Sequence, residues 1–175
     1  MSKGMAQKVQ LISAIVHEPE LVILDEPFSG LDPVNQQALE AVIRGLADRG
    51  ATVIFSTHVM QHAERLCDQV VLLARGRKVF DGSVDEARGH APRALVLEGM
   101  LDENAAASLP GVASVTIGPL EDGGLRLTAT LARGAAGQEA LKAAFARGLD
   151  IRRFEMREPT LHDAFITLTG GEGDQ

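Results

Sequence analysis

The order of apolar and polar residues predicts alternating strands and helices in the first part of the chain. Leu21 to Leu24 is a run of four apolar residues without alternation, and the segment from Thr52 to Ser56 is again mostly apolar. Such runs are typical of parallel strands buried on both faces by helices. Between the two runs, a stripe that is predicted to be buried recurs at helical spacing, formed by Ala38, Leu39, Val42, Ile43 and Leu46. The pattern therefore predicts an α/β fold in which a helix connects two parallel strands.

Capping signals place several further elements. Asp32 and Pro33 form a good helix start, since a capping acid precedes a proline at the first helical position. Val59 to Leu66 is predicted to be helical, and Gln69 to Ala74 to be a third strand that turns into an edge hairpin. Ser83 to Glu86 has the spacing of a capping box and predicts a short helix.

The pattern changes after residue 92 and predicts a second unit of different architecture. Strands and helices follow in the order β-α-β-β-α-β, which suggests a ferredoxin-like α+β domain. The predicted strands are 93–97, 114–117, 125–131 and 151–156, and the predicted helices are 102–109 and 138–147. On the second helix we expect Leu141, Ala144 and Phe145 to face the core.

The segment from Arg88 to Pro92 is the predicted linker between two domains. We expect a first domain over 1–90, an accessory α+β domain over 93–170 and a flexible tail over 171–175. A chain of 175 residues is long enough for one medium domain or two small ones.

The composition argues against a nucleic-acid partner and against a membrane-spanning segment. The formal net charge of -7 argues against a nucleic-acid partner, and the absence of Trp and Tyr removes the aromatic platforms on which single-stranded nucleic acids stack. No apolar run approaches the roughly 20 residues that span a bilayer. The single cysteine, Cys67, lies on an apolar helix face and is expected to be inert.

Two carboxylates follow the first strand. Asp25 and Glu26 come directly after Leu24, and ligands of open α/β sheets bind outside the carboxyl ends of the strands. An aspartate there can hold Mg²⁺ on a nucleotide, and an adjacent glutamate can orient or deprotonate a water. Alternatively, the pair only ends a strand before Pro27. The pair alone leaves both interpretations open.

The surrounding motifs resemble those of the ABC (ATP-binding cassette) ATPases. With Ser29-Gly30-Leu31-Asp32 behind it, the acidic pair is similar to the Walker B motif and D-loop of that family. Upstream, Met1 to Val9 is similar to the family signature and its helix, and Ser56-Thr57-His58 is similar to the switch histidine. The tail from Glu158 to Ile166 is similar to that of ABC ATPases with an extra domain, many of them exporters.

The resemblance implies an ATP-binding and ATP-hydrolysing subunit of a transporter, with ATP and Mg²⁺ as cofactors. Its fold would be that of a P-loop NTPase, here incomplete, followed by the accessory domain. By position in the motifs, Asp25 would hold Mg²⁺, Glu26 would activate the attacking water, and His58 would sense the γ-phosphate. His62, one helical turn later, is expected at the surface.

The resemblance also implies partners. Ser2, Lys3 and Gly4 would face ATP bound to a second ATP-binding subunit, and Asp32 would contact that subunit across the dimer. Lys3 departs from the commonest signature, which has glycine there. A transmembrane permease would be the other partner, which places the chain in the cytoplasm on the inner face of the membrane.

The phosphate-binding Walker A loop of these ATPases has no counterpart in the sequence. The lysines are Lys3, Lys8, Lys78 and Lys142, and none is followed by Ser or Thr. We therefore expect a fragment of a longer protein that binds nucleotide weakly when isolated and has incompletely covered strands. The alternative is a non-catalytic interaction module that pairs with a full-length subunit or the permease. An ATPase head of the chromosome-maintenance type is disfavoured, since sustained heptads are missing.

Overall fold

The computed structural model separates into two compact units, residues 1–70 and 71–175. It describes Val9, 12–101, Asn104 and 107–170. The predictions for Ser2, Lys3 and Gly4 and for the tail 171–175 lie outside these residues. No helix in the described part of the chain is both long enough and apolar enough to cross a membrane.

In the part of the first unit that the structure describes, residues 12–15 are helical, and a parallel pair of strands and two further helices follow them. The elements are β1 (Leu21–Leu24), α1 (Pro33–Asp48), β2 (Thr52–Phe55) and α2 (Met60–Leu66). β1 and β2 are parallel, with Leu21 opposite Thr52 and Leu24 opposite Phe55. The predicted strand, helix and parallel strand are confirmed.

Helix α1 begins where its sequence predicts. The Asp32 side chain accepts a hydrogen bond from the backbone N–H of Asn35, and Pro33 occupies the first turn, where a missing N–H costs nothing. Leu39, Ile43 and Leu46 are buried along one stripe and Val42 is half-buried, whereas the prediction that Ala38 is buried is wrong, since it is exposed. This stripe holds the helix on the sheet.

The core of the first unit lies on one face of the β1–β2 pair. Phe28, Leu39 and Ile43 form its buried centre. On the opposite face Ile23 is 70% exposed and Ile54 is 53% exposed. The expectation that the strand is buried on both faces is therefore wrong for this structure, because no described element covers the second face. The other expectation, that the strands are incompletely covered, agrees with the exposed Ile23 and Ile54.

A two-stranded sheet and a short helix follow. β3 (Gln69–Ala74) pairs with β4 (Arg77–Ser83), and α3 (Val84–Arg88) comes next. The turn places Arg75 at φ 50° and Gly76 at φ 71°, the left-handed region used by tight hairpin turns. The predicted capping box is present, since Ser83 accepts from the Glu86 N–H and Glu86 accepts from the Ser83 N–H.

The rest of the second unit has the ferredoxin-like arrangement that the sequence predicts. Its strands form one sheet in the order β6-β7-β5-β8, and each neighbouring pair is antiparallel. The elements are β5 (Ala94–Met100), β6 (Val112–Pro119), β7 (Leu125–Leu131), α4 (Gly137–Ala146), β8 (Asp150–Arg157) and α5 (Leu161–Leu168). Half of the predicted helix 102–109 lies outside the described residues, and Asn104 and Ala107 within it are helical.

One face of this sheet carries the core of the second unit. The central strands β5 and β7 contribute the fully buried Leu95, Leu97 and Leu127, and α4 packs on them with Ala140 and Ala144. The prediction that Phe145 faces the core is wrong: the residue is 53% exposed. α4 turns its small alanines to the sheet, which leaves Phe145 near the sheet edge.

Candidate functional site

The carboxyl ends of β1 and β2 bring their polar residues into one hydrogen-bonded network. The Ser56 hydroxyl donates to Asp25 Oδ1 at 2.6 Å, and Ser56 Oγ also accepts a hydrogen bond from the Glu26 backbone N–H at 2.8 Å. The Ser56 N–H itself donates to Leu24 O at 2.9 Å, which continues the strand pairing. Ser56 therefore fixes both acidic residues to the end of the neighbouring strand.

His58 pairs with Glu26 at the same edge of the sheet. The distance from His58 Nδ1 to Glu26 Oε1 is 2.9 Å. The side chain of His58 is 76% exposed and that of Glu26 is 38% exposed, so a ligand can reach both. A carboxylate that holds one ring nitrogen fixes the orientation of the imidazole and the atom that carries its proton. The arrangement can position a water or a phosphate oxygen.

The backbone at Glu26 is in a conformation that side chains rarely adopt. Its φ is 45°, in the left-handed region. Non-glycine residues in that region carry strain and persist only where the surroundings hold them. Here Glu26 N is bound to Ser56, Glu26 O accepts the Ser29 N–H at 3.1 Å, and the next two residues are buried. The strained turn directs Glu26 towards His58.

Phe28 anchors the loop behind the acidic pair. It is 4% exposed and packs edge-on against Phe55, with ring centroids 5.8 Å apart. The ring of His62 lies 4.0 Å from the Phe28 ring. The loop that carries Asp25 and Glu26 is therefore tied to both β2 and α2.

His62 is buried, and the prediction that it lies at the surface is wrong. It is 4% exposed, and its ring packs against the Phe28 ring. Its Nδ1 atom has no hydrogen-bond partner in the described structure. Burial, with a smaller contribution from the nearby Arg65 charge, lowers the pKa of His62 below its usual value. His62 is therefore a packing residue with a neutral ring.

Asp32 has a structural role at the start of α1. Its Oδ1 atom accepts the Asn35 N–H at 2.9 Å, and its Oδ2 atom accepts from the Asn35 side-chain amide at 2.5 Å. Gly30, at φ 72°, forms the preceding turn, where a residue without Cβ avoids strain. The turn that carries Asp32 is thus set by its own hydrogen bonds.

The structure brings together three of the predicted site residues. Asp25, Glu26 and His58 share one network, whereas Asp32 lies at the helix start. Ser56 was not among the predicted site residues, although it bridges the two acidic residues. The available signal was its position directly after β2, at the same edge as Asp25.

Cys67 is not a candidate nucleophile. Burial raises the pKa of its thiol to about 11, and the neighbouring Asp68 carboxylate acts in the same direction. The thiolate is the reactive form, so a thiol with this pKa is protonated at neutral pH. The expectation that Cys67 is inert agrees with its environment.

Two family models match the sequence. The model described as ATP-binding protein DrrA1-3-like, C-terminal domain, matches residues 82–169, half of the chain. The model described as AAA domain, putative AbiEii toxin, Type IV TA system, matches residues 1–60. The first match coincides with the second unit except for its beginning, and the second covers β1 and β2.

The curated relatives that match are ABC transporter ATP-binding proteins. An uncharacterized one from Alkalihalophilus pseudofirmus is 39% identical over 174 residues, which are 97% of this chain and 62% of the relative. The Nod factor export ATP-binding protein I of Rhizobium leguminosarum bv. viciae is 35% identical over 178 residues, 98% of this chain and 53% of the relative. This chain thus spans a little over half the length of these relatives.

A solved structure titled "Structure of ATP binding subunit of ABC transporter" is also similar. It is 44% identical and covers 50% of this chain and 37% of its own, with a TM-score of 0.47. The family evidence rests on the DrrA1-3-like model and on the relatives that share nearly the whole of this sequence. This chain belongs to the ABC transporter ATP-binding proteins that carry a DrrA1-3-like C-terminal domain.

Proposed function

We propose that this chain is the carboxy-terminal part of an ATP-hydrolysing subunit that drives export through an ABC transporter. The observation that carries the proposal is the network in which Ser56 holds Asp25 and Glu26 while Glu26 pairs with His58. Phosphoryl transfer to water requires a group that orients the water and a charge that holds the phosphate. The network offers Glu26 for the water and Asp25 as a carboxylate that can hold Mg²⁺, which would bring the positive charge.

Glu26 is the residue that activates the attacking water. A carboxylate with one oxygen 2.9 Å from His58 retains a second oxygen that can accept a hydrogen bond from water and take its proton. His58 Nε2 has no hydrogen-bond partner among the described residues and can contact a γ-phosphate oxygen. In this proposal Glu26 is the general base, and His58 positions both the water and the phosphate.

Asp25 fits the role of a Mg²⁺ ligand. It is exposed, and a hard oxygen ligand suits this cation. Mg²⁺ in nucleotide enzymes is commonly held by one or two carboxylates together with substrate phosphates, so no larger protein cage is needed. Ser56 donates to Asp25 Oδ1, which leaves Oδ2 for the metal. Bound Mg²⁺ would neutralise phosphate charge.

The proposal includes a second ATP-binding subunit and a transmembrane permease. Ser2, Lys3 and Gly4 would face the phosphates of ATP on the second subunit, and Asp32 would contact that subunit through its turn. The export assignment is supported by the relatives named Nod factor export ATP-binding proteins. We place the chain on the cytoplasmic face of the membrane, with an ATPase part over 1–90 and an accessory domain over 93–170.

Nucleotide affinity is proposed to depend on a phosphate loop outside these 175 residues. Affinity in such folds comes chiefly from the backbone N–H groups and the lysine of that loop. Isothermal titration of the 175-residue chain with Mg·ATP is expected to show no saturable binding in the micromolar range. A micromolar site on this chain would contradict the dependence on a further loop.

Replacement of the proposed base tests the catalytic assignment. In the full-length subunit Glu26→Gln is expected to lower the rate of ATP hydrolysis by at least about 100-fold, because the amide cannot accept the proton, while ATP binding persists. Glu20→Gln is the matched control, since Glu20 is exposed at the opposite end of β1. Equal hydrolysis rates in the two variants would remove Glu26 from its role.

A non-catalytic interaction module is the second candidate. The exposed apolar face of β1 and β2, with Leu21, Ile23 and Ile54, favours it, because this face can be covered by another polypeptide. Co-purification of the 175-residue chain with a full-length subunit, lost on Ser2→Ala, would support the module. Hydrolysis that depends on Glu26 in the full-length subunit would support the first candidate.

A further inference from the structure

Strand β8 is an open edge of the sheet in the second unit. It pairs with β5 on one side, and no described strand pairs with its other side. Of the eight residues from Asp150 to Arg157, Ile151 is half-buried and the other seven are exposed. An edge strand of this length presents a row of backbone N–H and C=O groups that can pair with another strand.

The opposite edge of the sheet is less suited to pairing. β6 is irregular between Val112 and Ser114 and ends at Gly118 and Pro119. Bulges and proline are common features that protect sheet edges, because they twist the strand and remove a donor. β8 has its irregularity near its beginning, beside Arg152, and the stretch from Arg153 to Arg157 pairs regularly with β5.

An aromatic pair lies beside the open edge. Phe154 of β8 is 51% exposed and Phe145 of α4 is 53% exposed. Their rings are perpendicular, with centroids 6.4 Å apart. Met156, two residues along the same face, is 36% exposed. An apolar cluster at an unpaired strand edge combines the two features that an added strand would cover.

The charges on the other face of β8 lack strong partners. Arg153 and Glu155 are 4.0 Å apart along the strand, with side chains 65% and 53% exposed. Glu98, the β5 residue opposite Arg153, is engaged by Arg126, whose Nε atom is 2.7 Å from its carboxylate. Arg153 and Glu155 are therefore available for charges on an added strand.

We propose that two copies of this chain pair through antiparallel β8 strands about a two-fold axis at Phe154. This register places Phe154 opposite Phe154, and Arg153 of each copy opposite Glu155 of the other. Directly opposite residues of antiparallel strands have Cβ atoms about 4.5–5.5 Å apart, so both ion pairs and the aromatic contact form. The two sheets become one continuous sheet.

The charge order selects this register and this partner. An axis at Arg153 would place two arginines opposite each other, and an axis at Glu155 would place two glutamates opposite each other, which is destabilising in either case. Only the axis at Phe154 joins unlike charges on both sides. A strand that complements itself in this way fits a second copy of the chain, and the pairing is independent of the ATPase assignment.

A charge exchange tests the register. Sedimentation equilibrium of the 175-residue chain without nucleotide is expected to show a monomer–dimer equilibrium. Arg153→Glu or Glu155→Arg alone should raise the dimer dissociation constant by roughly tenfold or more, because two attractive pairs become repulsive. The double variant, Arg153→Glu with Glu155→Arg, should restore it. Thr116→Glu, an exposed position on the opposite edge strand, is the control and should leave it unchanged.

A cysteine at the axis provides a second test. In a Cys67→Ala background, Phe154→Cys should form a disulfide-linked dimer on mild oxidation, since the two thiols face each other across the axis. Thr116→Cys should form no disulfide-linked dimer under the same conditions. Circular dichroism of each variant checks that it is folded.

Three results would overturn the proposal. One is a chain that stays monomeric throughout the concentration series. Another is a charge-exchange series without the expected pattern, in which the single changes leave the dissociation constant unaffected or the double variant dimerises as weakly as the single ones. The third is equal cross-linking at Phe154 and Thr116, which would indicate random collision.

Discussion

The two units of the chain cover their sheets to different extents. In the second unit the central strands bury Leu95, Leu97 and Leu127 completely, and α4 packs over them. In the first unit β1 and β2 bury one face only, and Ile23 on the other face is 70% exposed. Parallel strands are normally covered on both faces, whereas antiparallel sheets tolerate a solvated face. The proposed catalytic residues therefore lie in the first unit, whose sheet is covered less completely by the residues of this chain.

Truncation of a central leucine should have the largest effect. Leu127→Ala is expected to lower the free energy of unfolding of the second unit by about 2–5 kcal/mol, because it removes a fully buried side chain and leaves a cavity. Denaturant titration followed by circular dichroism measures the change. A loss below about 1 kcal/mol would contradict a well-packed second core.

Removal of the bridging hydroxyl should have a smaller effect on stability. Ser56→Ala leaves Asp25 and the Glu26 N–H without their shared partner, which is expected to cost about 1 kcal/mol at this exposed position. The same substitution should lower ATP hydrolysis in the full-length subunit, because both acidic residues lose their orientation. Thr52→Ala, at the exposed opposite end of β2, is the control, and an equal loss of hydrolysis in it would argue against a specific role for Ser56.

The buried histidine predicts a pH dependence. Burial lowers the pKa of His62, so below the usual value of 6.5 the unfolded chain takes up a proton that the folded chain resists. His62 should therefore reduce stability progressively as the pH falls through 6.5, and contribute no such loss at higher pH. Unfolding of wild type and His62→Phe, compared between neutral and mildly acidic pH, measures it. Identical slopes in the two proteins would contradict a neutral buried ring.

Substitution on the exposed face should have the smallest effect. Ile23→Ser is expected to change the stability of the 175-residue chain by no more than about 0.5 kcal/mol, since the side chain is already in water. The matched change at a covered position of the same strand, Val22→Ser, should cost several times more, because Val22 is 4% exposed. Equal costs would show that both faces are covered.

Local signals predicted much of the fold. The Asp32 and Pro33 start of α1, the capping box at Ser83 and the strand order of the second unit all agree with the structure. These features depend on neighbours in the sequence or on regular periodicity. That the acidic pair and His58 lie close together could be predicted from the strand ends alone, because parallel strands end at the same edge of the sheet.

The incorrect predictions concern tertiary partners. His62 was expected at the surface, yet it covers Phe28, which lies 34 residues earlier in the sequence. Phe145 lies on the apolar stripe of α4 but projects towards Phe154 at the sheet edge. Helical spacing identifies the face on which a residue lies and not the element that covers it. The bridging role of Ser56 was missed because its partners, Asp25 and Glu26, follow the neighbouring strand and are about 30 residues away in the sequence.

We propose that Glu26 and His58, which follow β1 and β2, act together in one catalytic site. A double-mutant cycle of ATP hydrolysis in the full-length subunit tests it, with Glu26→Gln, His58→Ala and the double variant. His58→Ala is expected to lower the rate in the wild-type background and to have little further effect once Glu26 is replaced, because the two side chains act as a unit. Independent, multiplicative losses would contradict it.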